Sequence, residues 1–115
     1  MQRFKSTSEA ALWIWDYFYI SHVPAPGDRR IWRSIENATC RIRESEVDLD
    51  RPLPSDLRLR SARRLRNAAR LAIRKIAELS VKPAPWVVEE LAELEALAEE
   101  LIETVSDSAR GVVVH

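Results

Sequence analysis

Cysteine occurs once in this 115-residue chain, glycine twice and histidine twice, and each scarcity closes a route. Cys40 has no partner for an internal disulfide, which suits a reducing compartment, so a cytoplasmic protein is expected. Two histidines and one cysteine give no zinc-ligand spacing and no paired nucleophile and base. Two glycines do not build a phosphate-cradling Gly-rich loop. Long apolar runs are missing too. The longest stretch without Asp, Glu, Lys or Arg is residues 17–27, well short of the roughly 20 residues that span a membrane. Glu9 and Asp16 interrupt the apolar run near the N-terminus, so no secretory signal is expected. Charge of one sign is lacking in the balance: 18 basic side chains face 18 acidic ones, which excludes a uniformly basic nucleic-acid binder.

What is there is a globular composition, 46% hydrophobic and 31% charged, at a length that allows one domain over residues 1–115. The six prolines fall in three pairs, Pro24/Pro26, Pro52/Pro54 and Pro83/Pro85, separating long glycine-free stretches. Proline breaks helices, so the spacing predicts four helices, at about 6–22, 28–45, 55–80 and 85–106, with a flexible tail at 107–115. Ser6 and Glu9 have capping-box spacing, Ser55 or Asp56 is placed to cap the third helix, and Pro85 suits a first helical turn. The acidic segment 46–54 reads as a loop.

The third helix repeats Ala62, Leu65, Ala69, Ala72, Ile76 and Leu79 at alternating spacings of three and four. The fourth repeats Val87, Leu91, Leu94, Ala98, Leu101 and Val105 in the same way. Both are coiled-coil seams, and the short connection between them predicts an antiparallel hairpin. The expected fold is all-α: a four-helix bundle with a long helix 3–helix 4 hairpin.

The zero net charge conceals segregation. Residues 54–82 carry nine bases against Asp56 and Glu78, a balance of +7, and residues 83–107 carry eight acids and no base, −8. At about 100° per residue, Arg60, Arg63, Arg70 and Arg74 lie opposite their seam, as do Glu89, Glu93, Glu100, Glu103 and Asp107 opposite theirs. A basic and an acidic ridge pointing apart are therefore expected, with Arg58, Arg66 and Lys75 left to pair with Glu90, Glu95 and Glu99. The ridges suit three uses: solvated faces, mutual attraction between copies, or contact of the arginines with phosphates. An acidic ridge can also imitate a phosphate backbone and inhibit a nucleic-acid enzyme.

Five of the eight aromatics, Trp13, Trp15, Tyr17, Phe18 and Tyr19, fall within seven positions. They make the first helix apolar almost all round, more than a chain this small is expected to bury alone, so they form the candidate protein interface. No catalytic residue, metal site or cofactor is expected. His22 beside Pro24 and Cys40 near Arg33 and Arg41 read as structural, and the acids of the fourth helix lack the Glu-x-x-His of di-iron bundles.

An aromatic first helix ending at His22-Val23-Pro24, a basic start to the second helix at Asp28-Arg29-Arg30-Ile31, and Leu65-Arg66 through Arg70-Leu71-Ala72 mark a layout over most of the chain. It resembles the four-helix family containing the accessory protein of diversity-generating retroelements (Avd) and the 23S rRNA intervening-sequence proteins. The resemblance implies a ring-like homo-oligomer that assists a reverse transcriptase by binding protein and nucleic acid. Leu101-Ile102-Glu103-Thr104 stands where the family has a Gly-rich ending with a Trp, and the chain is neutral where retroelement members are basic. Arg110 and His115 have the Arg-x4-His spacing of HEPN ribonucleases, which sits in a helix; with Gly111 following Arg110, that chemistry is not expected. The expected function is a non-enzymatic accessory or adaptor acting by protein contact, homo-oligomeric, with a nucleic-acid-binding accessory and an acidic mimic as alternatives.

Overall fold

A computed structural model describes residues 4–114, with side chains as far as Asp107. Among them are helices and turns and no strand: α1 (Thr7–Asp16), a π-helical turn (Tyr17–Ser21), a 3-10 turn (Pro26–Asp28), α2 (Arg29–Leu49), α3 (Ser55–Glu78) and α4 (Pro85–Val114). The fold is an all-α four-helix bundle of 58 × 26 × 22 Å. The central helix, α3, packs along both α2 and α4, while α1 lies chiefly on α2 and touches α4.

The seams read from the sequence form the core. Ala62, Leu65, Ala69, Ala72, Ile76 and Leu79 of the α3 stripe are all buried, as are Val87, Leu91, Leu94 and Ala98 of α4. Because α3 has a neighbour on two sides, Ala68 is buried beside the stripe as well. Small side chains there let three backbones approach. From α2 come Trp32, Ile35, Ala38 and Ile42, and from the first helical segment Ala10, Ala11, Ile14 and Phe18. Leu101 and Val105 are half-buried, not sealed, because α1 is short and leaves the far end of α4 packed on α3 without a third helix over it.

Several boundaries differ from those expected. The first helix does not run regularly to His22: after Asp16 it widens into the π turn, in which residues five apart share a face. Ser21 Oγ accordingly donates to Asp16 Oδ2, and the His22 ring stacks on Tyr17 at 3.8 Å. The indole of Trp32 donates to the Phe18 carbonyl at 3.0 Å, a side chain supplying a donor where the helical ladder is disturbed. Residues 46–49 belong to α2, with Glu46 buried against the bundle, so the loop is 50–54. Neither Ser55 nor Asp56 caps α3. Pro54 holds the cap position and no side chain bonds there. Ser6 does cap α1, accepting from Glu9 N at 3.1 Å, but the Glu9 carboxylate reaches back to Lys5 N, one residue beyond the expected box. Residues 107–114, expected in a tail, continue α4 as far as Val114, since a single Gly costs a helix only about 1 kcal/mol and no proline stops it; His115 lies outside the described residues.

Candidate protein-interaction site

Both Pro-bearing connections at one end of the bundle are tied by polar side chains. Asp28, 4% exposed, accepts from Ser80 N at 3.1 Å on both carboxylate oxygens, from Ser80 Oγ at 2.9 Å and from Val81 N at 3.3 Å. It does not cap α2, at whose start it stands. The Ser80 N–H, then the Ser80 hydroxyl, Val81 N–H and the charge of Lys82 hold its carboxyl below the usual carboxylate range, against the opposing effect of desolvation. Lys82 Nζ donates to the carbonyls of Ile76, Ala77 and Leu79 at 3.3, 2.6 and 2.7 Å, closing the C-terminus of α3 where a cation is favoured. Ala84 N donates to the Tyr17 hydroxyl at 3.1 Å. Asp28, Lys82 and Tyr17 thus tie down the turn between α3 and α4.

On this rigid end the aromatic cluster divides. Phe18 is 1% exposed and belongs to the core, edge-on to Trp32, so it is not an interface residue: the buried stripe of the helix runs through Ala11, Ile14 and Phe18. Trp15 and Tyr19 stack on each other on one flank, with the Arg43 guanidinium 4.5 Å from the Trp15 ring centroid. Tyr17 faces Trp86 on the other flank at 5.8 Å and 84°, beside Phe4 and Trp13, whose rings stack at 6.4 Å. Trp13 remains 48% exposed and Tyr19 43%. Sequence reasoning missed the surroundings: Ile20 is 65%, Val23 86% and Val81 63% exposed, all in or beside the two connections at this end. Their signal was weak, because single β-branched residues in a proline-bearing loop form no periodic pattern.

Most of the expected ridge residues are exposed, but the pairing across the joint differs from that expected. Arg60, Arg63 and Arg74 are exposed, as expected. Arg70 instead crosses the joint to pair with Glu95 and Glu99, and the Glu95 contact in particular pushes its guanidinium pKa further up, against partial desolvation. Its long side chain reaches around the seam from a position that helical angle alone assigns to the back. Lys75 pairs within its own helix with Glu78, and Arg64 is 3.8 Å from Glu44 of α2. On the acidic side Glu89, Glu93, Glu100 and Glu103 are exposed, while Glu90 is buried at the α1–α4 contact. Glu93 and Glu100 edge a hollow of about 350 Å³ floored by Ala10, Leu94 and Leu97.

Cys40 is half-buried with its Sγ 3.4 Å from the Tyr19 hydroxyl. His22 lies exposed on the Tyr17 ring. Arg110 stands inside the continued α4, contrary to the expectation that the helix would end before it; its side chain and that of Val112, and the whole of His115, lie outside what the structure describes. No group of three His, Cys, Asp or Glu side chains among the described residues is placed to hold a metal ion, and no helix among them is long and apolar enough to cross a membrane. Comparison with protein-family models, with curated proteins and with solved structures finds no match.

Proposed function

We propose that the chain is a non-enzymatic helical-bundle adaptor or accessory subunit that acts by protein–protein contact and assembles with copies of itself. The observation that carries this reading is the turn end of the bundle, where Trp13, Ile20, Val23 and Val81 expose apolar surface on or beside connections tied by Asp28, Lys82 and Tyr17. Exposed apolar groups on a pre-ordered surface gain by burial without a large ordering cost. The test is molar mass by light scattering across a concentration series. The wild-type chain is expected above the 13.2 kDa of one copy, and Ile20→Asp with Val23→Asp to lower the mass toward it. A wild-type chain that stays monomeric throughout, or an assembly unchanged by both substitutions, counts against the reading.

A second reading is a nucleic-acid-binding accessory, in the Avd-like form of a subunit serving a reverse transcriptase. Exposed Arg60, Arg63 and Arg74 along α3 favour it. Arg70, engaged by two carboxylates, is not part of that surface. Binding that falls steeply with salt and with substitution of those three arginines distinguishes this reading from the first.

A further inference from the structure

Beside the exposed residues of the turn end lies a hollow of about 270 Å³, lined by Trp13, Asp16, Tyr17, Ser21, His22 and Trp86. Its size suits one side chain or one small ion better than a drug-sized molecule. Tyr17 and Trp86 stand almost perpendicular, at 84° with centroids 5.8 Å apart. Trp13 forms a wall that is half exposed at the rim. Tyr17 cannot swing away, since its hydroxyl accepts from Ala84 N and its ring carries His22. Asp16 is aimed too: the π turn brings Ser21 five residues on to donate to Oδ2, which uses one of about four acceptor positions on a carboxylate.

Aromatic faces carry negative quadrupole charge, and a carboxylate beside them adds a full negative charge. The two helix ends that meet here, the last turn before His22 and the first turn of α4, have opposite dipole signs and offset each other. The ionisable groups of the lining, the Asp16 carboxylate and the His22 imidazole that stacks on Tyr17, therefore set the field, and Asp16 supplies its negative charge. A neutral donor gains a hydrogen bond from Asp16 but no Coulombic attraction, and an anion is repelled. An organic cation is matched on both counts: its flanks meet the aromatic lining, with the half-exposed Trp13 ring at the rim, while its charge meets the carboxylate.

We infer that this hollow is an aromatic cage for a guanidinium or alkylammonium group, presented as an arginine or lysine side chain by a protein partner. The choice of a partner's side chain rests on the adaptor reading above and on continuity: the cage opens at the end that exposes Ile20, Val23 and Val81, so an inserted cation is flanked by apolar contacts on the same surface.

The test uses the full chain and three probes: a short arginine-containing peptide, the same peptide with citrulline in place of arginine, and tetramethylammonium. Indole Nε1 resonances of Trp13 and Trp86 report occupancy, and titration gives the affinity. The arginine peptide is expected to shift both indole signals and to bind at least about fivefold more tightly than the citrulline peptide. Trp13→Ala and Asp16→Asn are each expected to weaken it by about fivefold or more. Trp13 is half exposed, and an Asn carbonyl still accepts from Ser21, so both variants retain the fold; far-ultraviolet circular dichroism verifies this, and Trp13→Phe supplies a conservative rescue. Equal binding of the arginine and citrulline peptides, or unchanged affinity in Asp16→Asn, overturns the cage. Tighter binding of tetramethylammonium than of the arginine peptide overturns the assignment to a partner's side chain. Because the cage opens on the surface proposed for self-assembly, the titration is run on the Ile20→Asp, Val23→Asp chain as well as on the wild type. A monomeric chain that binds arginine keeps the cage and loses the oligomer, and a wild-type assembly whose dissociated variant also ignores arginine does the reverse.

Discussion

Asp28 concentrates more of the architecture than any other polar side chain described. Its position after Gly27 and before a helix is that of an N-cap, and local sequence gives no reason to look further. The carboxylate instead takes the N–H groups of Ser80 and Val81, more than fifty residues on, in a turn whose prolines leave few donors. Bonds made by an ionised acceptor are roughly twice as strong as neutral ones, and a buried acceptor changed to a donor leaves its partners unpaired. Asp28→Asn is therefore expected to lower the melting temperature by roughly 5–10 °C at neutral pH. Native contacts depress the carboxyl pKa, so the ionised form favours the fold. That contribution is complete above the unfolded-state value of about 3.9 and is lost as pH falls through the lower native value. Melting curves across acid pH check the sign: the gap between wild type and D28N should close on acidification. The same reasoning explains why this part of the candidate site was not legible. The aromatic residues could be picked out by type, but the turn that holds them depends on pairs distant in sequence.

At the scale of elements, periodicity was legible where one face of a helix meets neighbours along its whole length. The α3 stripe could be read residue by residue, because burial on both sides repeats its demand every three or four positions. The first segment could not. Its change to π geometry goes with the Trp32 indole reaching the Phe18 carbonyl, a contact between two helices that no window along the chain contains. Helix ends were misplaced where no Pro or Gly marks them, as at Leu49 and near residue 106, where α4 runs on through Gly111. The alanines of α3 make a sharper claim. Ala69 and Ala72 are fully buried between α2 and α4, so added methylenes there must push a helix aside. Ala69→Leu is expected to cost about 1–3 kcal/mol, seen as a lower urea midpoint. Ala77→Leu, on the exposed side of the same helix, is expected to change stability by less than about 0.5 kcal/mol. Equal effects at the two positions would contradict the central placement of α3.

For the whole molecule, the question is what a +7 helix beside a −8 helix does for stability and for association. Mutual neutralisation would make the hairpin an electrostatic joint that salt weakens. The geometry argues otherwise. Among the described residues, the ion pairs joining α3 to α4 centre on Arg70, which is itself half exposed and hence screened. Arg60, Arg63 and Arg74 are exposed and none is within ion-pair distance of a described acid of α4, although Arg74 borders a hollow that Glu95 also lines; Glu89, Glu93, Glu100 and Glu103 are exposed as well. Within each helix, like charges three or four residues apart repel, as in Arg60 with Arg63 and Glu89 with Glu93, and salt relieves that repulsion. Raising sodium chloride from about 0.05 M to about 0.5 M, which shortens the screening length roughly threefold, should leave the melting temperature unchanged or slightly higher. A fall of several degrees would show that the ridges hold the hairpin together. Molar mass in the same two buffers separates the modes of association. Contact through Ile20, Val23 and Val81 buries apolar surface and survives the salt, whereas a basic ridge docked on an acidic ridge comes apart. Retention of the assembly at high salt assigns it to the turn end of the bundle; dissociation to 13.2 kDa assigns it to the ridges and removes the main support for an apolar interface.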